Sequence, residues 1–188
     1  MKKVQLYNQL KTVDATRKKR LEHANFILDD TSLIKPLMDI VFMVDDIVSP
    51  KAAWVFEFVC AKDLSLLRPH MEYFTAHLTK VHLDSAVRPI AKVCLFLVDE
   101  HYTDPLENHT IELNLKQKES ITEACFNWLI HDEKVAPKVY AMQCLFLLGH
   151  EFDWIHPELI LILEKDYHHQ TAGFKAKARH IMTALNKH

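Results

Sequence analysis

The chain has 188 residues, of which 49% are hydrophobic and 26% charged, a balance typical of one globular domain with its own core. Only two glycines occur, which disfavours glycine-rich phosphate loops and the many tight hairpins of β-sandwiches. The formal net charge of −2 provides no overall basic field that would attract nucleic acid.

Apolar residues recur at intervals of three and four along nearly the whole chain, and this periodicity predicts amphipathic helices. Ser32 and Ser65 stand where N-caps are expected, and Pro50, Pro137 and Pro157 suit a first helical turn, where no N–H is needed. The predicted helices span, in chain order, residues 3–11, 15–28, 32–45, 50–61, 65–80, 85–100, 117–131, 136–149, 156–167 and 172–187.

The predicted helices repeat in pairs. The segment SLIKP at 32–36 aligns with SLLRP at 65–69, and RPIAKVCLFL at 88–97 aligns with KVYAMQCLFL at 138–147. Such internal similarity is the signature of repeat architectures, in which each unit buries its apolar faces against its neighbours. We therefore predict a single domain over 1–188, with an N-terminal cap at 1–29, four helical hairpins at about 31–62, 65–101, 117–150 and 154–187, and an inserted connector at 102–116.

Two hairpins place an aspartate at the end of the first helix and a lysine at the start of the second. The pairs are Asp45 with Lys51 and Asp132 with Lys138, at the same spacing. This pattern resembles HEAT repeats. The resemblance implies an all-α fold, an α-α superhelix (a HEAT-like solenoid) of about four antiparallel helical hairpins after an N-terminal capping pair. It also implies that the two aspartate–lysine pairs form a structural ladder.

Lysine and arginine are in excess in the second helices and in helix 15–28, whereas the first helices are richer in aspartate and glutamate. Second helices line the concave surface of HEAT-like solenoids, so the resemblance implies a basic concave face. A basic groove suits an acidic peptide, a phosphate-bearing ligand or nucleic acid. The alternative is a solvated face or a structural charge ladder. The candidate binding residues are Arg17, Lys18, Arg20, Trp54, Lys92, Lys177 and Arg179.

No pattern in the sequence indicates a catalytic centre, a metal site or a cofactor. The thirteen histidines include no HExxH motif, and Ser32-x-x-Lys35 lacks the companion motifs of serine acyl-enzymes. The four cysteines are isolated in apolar helical runs, and their spacing predicts reduced, buried thiols of a cytoplasmic protein. These cysteines are Cys60, Cys94, Cys125 and Cys144.

We expect a non-enzymatic interaction module that presents its basic concave face to a protein partner and does not insert into a membrane. The main alternative is a nucleic-acid-binding protein or an enzyme, because alkylpurine DNA glycosylases are also HEAT-like and place tryptophan and aspartate residues in a basic channel. Here Trp54, Trp128, Trp154 and Asp153 are the residues of those types. An aspartate and two tryptophans converging on the concave surface would favour that alternative.

The chain also resembles small bacterial helical-repeat proteins that are sometimes labelled adenylosuccinate lyase. The lyase superfamily carries a glycine- and serine-rich signature loop resembling SSxMPxKxN, and this sequence contains no such segment. We therefore do not expect this chain to have the lyase activity that the label names.

Overall fold

The computed structural model describes residues 2–102 and 111–186, and within these ranges the chain folds into ten α-helices, four short 3-10 helices and no strand. The prediction of an all-α fold is confirmed. Most of the predicted connector lies outside the described residues. The helices are α1 (Lys2–Leu10), α2 (Arg17–Asp29), α3 (Ile34–Val41), α4 (Ser49–Lys62), α5 (Met71–Thr75), α6 (Asp84–Tyr102), α7 (Leu115–Ile130), α8 (Val135–Leu148), α9 (Ile155–Asp166) and α10 (Ala172–Leu185).

Side-chain caps determine where several helices begin. The hydroxyl of Thr16 accepts the backbone N–H of Lys19 at the start of α2. Asn114 and Gln117 form a reciprocal capping box at the start of α7, with both hydrogen bonds at 3.0 Å. The hydroxyl of Thr171 accepts the backbone N–H of Phe174 at the start of α10. These caps satisfy N–H groups that have no partner inside the helix, so they fix helix starts that periodicity alone leaves uncertain.

The two predicted helices 32–45 and 65–80 are interrupted in the structure. Each segment begins as a 3-10 helix because Asp30 and Asp63 accept the N–H groups of Ser32 and Ser65, two residues further on. In the second segment Pro69 lacks the N–H that an α-helical hydrogen bond requires, and α5 starts only after it. The serines therefore follow the capping residues and do not serve as caps themselves.

The helices pack in two layers. In one layer, α2, α4, α6, α8 and α10 contact one another in chain order. In the other layer, α1 contacts α3, and α5 contacts α7. The layers are joined where α3 packs on α4, α7 on α8, and α9 on both α8 and α10. The solvent-exposed sides of the even-numbered helices therefore lie next to one another across most of the chain.

A continuous apolar core runs between the layers. Phe74 of α5 is fully buried, with its ring centroid 5.7 Å from that of Phe56 in α4 and 6.1 Å from that of Phe42 just after α3. This aromatic contact fixes the interrupted segment on both neighbouring helices. None of the described helices is both long and apolar enough to cross a membrane.

Gly149 ends α8 at a point where the chain leaves no room for a side chain. The Nε2–H of His156 donates to the carbonyl of Phe146 at 2.8 Å, and a Cβ on Gly149 would overlap the His156 ring. We expect Gly149→Ala to lower the free energy of unfolding by about 2 kcal/mol, because the imidazole must move and lose this bond. Urea denaturation followed by circular dichroism measures the change.

Gly173→Ala is the matched control for this prediction. Gly173 lies in the first turn of α10, and a Cβ there would approach the Val135 side chain to 3.2 Å without overlapping it. Alanine is also the better helix former, which offsets the tight contact. We expect a change within about 0.5 kcal/mol. Equal losses for the two variants would contradict the proposed role of His156.

Candidate binding surface

The predicted binding residues lie on four of the even-numbered helices, α2, α4, α6 and α10. Together with neighbours that the structure reveals, they form a surface that we call the even face. The even face comprises Arg17 and Arg20 of α2, Trp54, Glu57 and Phe58 of α4, Arg88, Lys92 and Phe96 of α6, Tyr140 and Gln143 of α8, and Lys177 of α10.

The structure brings together three of the predicted residues at one end of the even face. The guanidinium carbon of Arg20 lies 4.5 Å from the ring centroid of Trp54, and that of Arg17 lies 5.9 Å from the ring centroid of Phe58. The Nε1–H of Trp54 donates to the carbonyl of Ser85 at 2.8 Å, which fixes the ring between α4 and the start of α6. The cations are therefore held by cation–π contacts with anchored side chains.

A buried ion pair that the sequence analysis missed lies directly beside them. Glu57 is only 8% exposed and accepts two hydrogen bonds from the Arg88 guanidinium, at 2.6 and 3.2 Å. Glu57 is the one carboxylate of α4 and stands among apolar residues. Its position could have indicated the ion pair from the sequence, because a charged group inside an apolar stripe requires a partner.

Arg20 shares this environment but does not bond to Glu57. Burial is the first cause that lowers the pKa of Arg20, and the positive charge of Arg88 is the second, while Glu57 opposes both. The Nε–H of Arg20 is buried and finds no hydrogen-bond partner among the described residues. Two arginines thus approach one carboxylate, which Arg88 occupies, and Arg20 keeps unpaired donors.

The row of cations continues across the next helices. The Lys92 ammonium lies 5.5 Å from the ring centroid of Phe96 and 5.2 Å from that of Tyr140, so it bridges α6 and α8. The Lys177 ammonium donates to the side-chain oxygen of Gln143 and bridges α10 and α8. Burial lowers the pKa of Lys177. Each cation is therefore positioned by a side chain of the neighbouring even-numbered helix.

Two predicted residues stand apart from this row. Lys18 is exposed on α2, and among the described residues it makes no side-chain hydrogen bond or ion pair. Arg179 of α10 donates from Nη2 to the Tyr167 hydroxyl at 3.0 Å, in the 3-10 helix that follows α9. Arg179 therefore helps to join α10 to the other layer, and we leave it out of the even face.

The first predicted ladder pair is replaced by other contacts. Asp45 lies 3.2 Å from the Nε2 atom of His82, and the Lys51 ammonium donates to the carbonyl of Lys11 at 2.5 Å. The cause is that α3 ends at Val41, four residues before the predicted end. Asp45 consequently lies in a turn, away from the first turn of α4.

The second predicted ladder pair is also not formed among the described residues. Asp132 is exposed in the turn before α8, whereas Lys138 is 4% exposed in its first turn. Burial raises the pKa of Glu133, and the charge of Lys138 opposes that rise. The pairing implied by the repeat spacing therefore does not carry over to the side chains.

The three tryptophans do not converge. Trp128 of α7 is 3% exposed and belongs to the core. Trp154 stacks on Phe126 with ring centroids 5.6 Å apart, at the start of α9 in the other layer, and Asp153 precedes it. Only Trp54 lies on the even face, and the carboxylate beside it is Glu57. The arrangement expected for the glycosylase alternative is therefore not found among the described residues.

The four thiols are all buried, as the sequence predicted. Burial raises the pKa of each of them, so the reactive thiolate form is disfavoured. Over residues 2–102 and 111–186, no group of three or more His, Cys, Asp or Glu side chains is arranged to hold a metal ion.

Comparisons with models of protein families, with curated proteins and with solved structures find no match for this chain. No property of a relative is therefore available to assign an activity.

Proposed function

We propose that the chain is a HEAT-like helical-repeat module without enzymatic activity, and that its even face binds an acidic segment of a partner protein. The two-layer packing supports a superhelix, because consecutive hairpins stacked in chain order are the building plan of such folds. The observation that carries the function is the row of cations on α2, α6 and α10, each positioned by a side chain of a neighbouring even-numbered helix.

The charge balance of the even face supports an acidic ligand. Arg88 is neutralised by Glu57, but among the described residues Arg17, Arg20 and Lys92 have no ion-pair partner. Unpaired cations of one sign on adjacent helices create a positive potential that attracts and orients an acidic segment. Because each side chain already rests on an aromatic ring or an amide, binding requires little further ordering.

Nucleic acid is the alternative ligand for the same surface, since cations interleaved with aromatic rings also suit a phosphate backbone with stacked bases. Two observations favour a protein partner. The chain as a whole is slightly acidic. Trp54, the tryptophan on the even face that a stacking site would use, is half-buried and covered on one side by Arg20. The Glu57 carboxylate is engaged by Arg88, so it does not stand ready as a general base.

Charge reversal within the row tests this proposal. We expect Lys92→Glu to weaken the binding of a fluorescein-labelled oligoglutamate peptide by about tenfold, because one attraction is replaced by one repulsion at the centre of the face. Fluorescence anisotropy at low ionic strength measures the affinity. The matched control is Lys165→Glu, an equal change of charge at an exposed position of α9 in the other layer, which should change affinity by less than about twofold.

The result would contradict the proposal if the peptide failed to bind the native chain at low salt, or if both reversals weakened it equally. A single-stranded oligonucleotide of matched charge serves as a further arm. If the oligonucleotide binds more tightly than the peptide, and Lys92→Glu abolishes that binding, the ligand of the even face is nucleic acid and not a protein.

A further inference from the structure

Two arginines at one end of the even face have no polar partner. Arg17 and Arg20 lie one turn apart on α2, and among the described residues neither guanidinium makes an ion pair or a side-chain hydrogen bond. Each lies against an aromatic ring of α4, Phe58 and Trp54. Stacking occupies the face of a guanidinium and leaves its N–H donors, which lie at the edge, free to bind an anion.

The two rings that hold these guanidiniums are Trp54 and Phe58, four residues apart on one helix, which corresponds to a rise of about 6 Å. Guanidiniums held one helical turn apart can donate to different oxygens of the same tetrahedral anion. The Nε–H of Arg20 is buried, so an anion would meet the terminal N–H groups of the two side chains.

The charge selects among anions. Two unpaired guanidiniums match a phosphate monoester, which carries about −1.5 to −2 and three acceptor oxygens at neutral pH. A carboxylate carries one charge, which one guanidinium balances, as in the bidentate contact of Glu57 with Arg88. A phosphodiester of nucleic acid also carries only one charge. The local arrangement therefore favours a monoester over both.

We infer that Arg17 and Arg20 form a binding site for the phosphate of a phosphoserine or phosphothreonine within the acidic segment of the partner. This inference rests on the proposed function and specifies its ligand. Lys92 and Lys177, further along the even face, then contact flanking acidic residues. Phosphorylation of the partner would thereby strengthen its binding to this chain.

Two oligoglutamate peptides that differ at one position test the inference. One peptide carries phosphoserine at its centre and the other carries glutamate, and isothermal titration calorimetry at low salt measures both affinities for the full chain. We expect the phosphoserine peptide to bind about tenfold more tightly, because a charge-assisted bidentate contact replaces a single-charge contact. Arg17→Lys and Arg20→Lys keep the charge but lose the planar fork, so each should reduce this preference to less than about threefold.

Matched variants keep the result interpretable. Arg179→Lys makes the same change at an arginine that bonds to Tyr167, and it should leave the preference intact. Arg17 is exposed, so Arg17→Lys does not depend on tolerance of a change beside the buried pair. Inorganic phosphate and an oligonucleotide, added as competitors, identify the source of the phosphate.

Each outcome separates the two proposals. Equal affinity of the native chain for the two peptides would overturn the phosphate inference and leave the proposed function standing. Failure of both peptides to bind would overturn the proposed function. If Arg17→Lys and Arg20→Lys both keep the preference for the phosphoserine peptide, the phosphate binds elsewhere, and the assignment to these two arginines is overturned. The competitors are compared with unlabelled phosphoserine peptide. If the oligonucleotide or inorganic phosphate displaces the bound peptide equally well, the phosphate does not have to come from a phosphopeptide, and the inference is overturned.

Discussion

Replacement of Glu57 by alanine is expected to lower the free energy of unfolding by about 3 kcal/mol, because it leaves a partly buried arginine without its counter-charge. Glu57 is 8% exposed and accepts both hydrogen bonds that the Arg88 guanidinium makes to it. The nearby Arg20 adds repulsion once the carboxylate is gone. Urea denaturation followed by circular dichroism gives the free energy, with the melting temperature as a second measure.

Two variants define what the Glu57 result means. Glu119→Ala removes an exposed carboxylate of α7 that forms no ion pair among the described residues, and it should change stability by less than about 0.5 kcal/mol. The double replacement Glu57→Leu with Arg88→Leu should recover part of the loss, since an apolar pair needs no counter-charge. Losses of equal size for Glu57→Ala and Glu119→Ala would show that the buried pair does not stabilise the fold.

Helix positions were predictable where periodicity and local chemistry agree. The starts of α2, α7 and α10 follow from Thr16, Asn114 and Thr171, whose side chains cap N–H groups within three residues. The interrupted segments were not predicted. Ser32 and Ser65 look like caps in the sequence, but Asp30 and Asp63 accept their N–H groups first. The spacing of apolar residues does not indicate which of two nearby capping residues accepts the N–H groups.

The candidate site was predictable in part. Arg17, Arg20 and Trp54 were candidates for the predicted concave face, and the structure brings them together. The Glu57–Arg88 pair was missed because aligned repeats compare equivalent positions, whereas an ion pair depends on which side chains meet across two different helices. The contact between Asp45 and Lys51 failed for a related reason, since it required a longer α3 than the chain forms.

Phe74→Ala should have the largest effect of any single change considered, a loss of about 4 kcal/mol in the free energy of unfolding. The Phe74 ring is 0% exposed and contacts Phe42 and Phe56, so its removal leaves a cavity lined by one ring of α4 and one ring just after α3. Denaturation in urea measures the loss. Phe26→Ala is the control, because Phe26 of α2 is 43% exposed and should lose less than about 1 kcal/mol.

The same variant tests why the interrupted segment is ordered at all. The five residues of α5 are too few to form a stable helix alone, and Pro69 prevents them from joining the preceding 3-10 helix. Packing of Phe74 must therefore supply the order. Amide hydrogen exchange in Phe74→Ala should lose protection first across residues 71–75, while α8, in the other layer, keeps it. Uniform loss of protection across both regions would instead mean that Phe74 stabilises only the global fold.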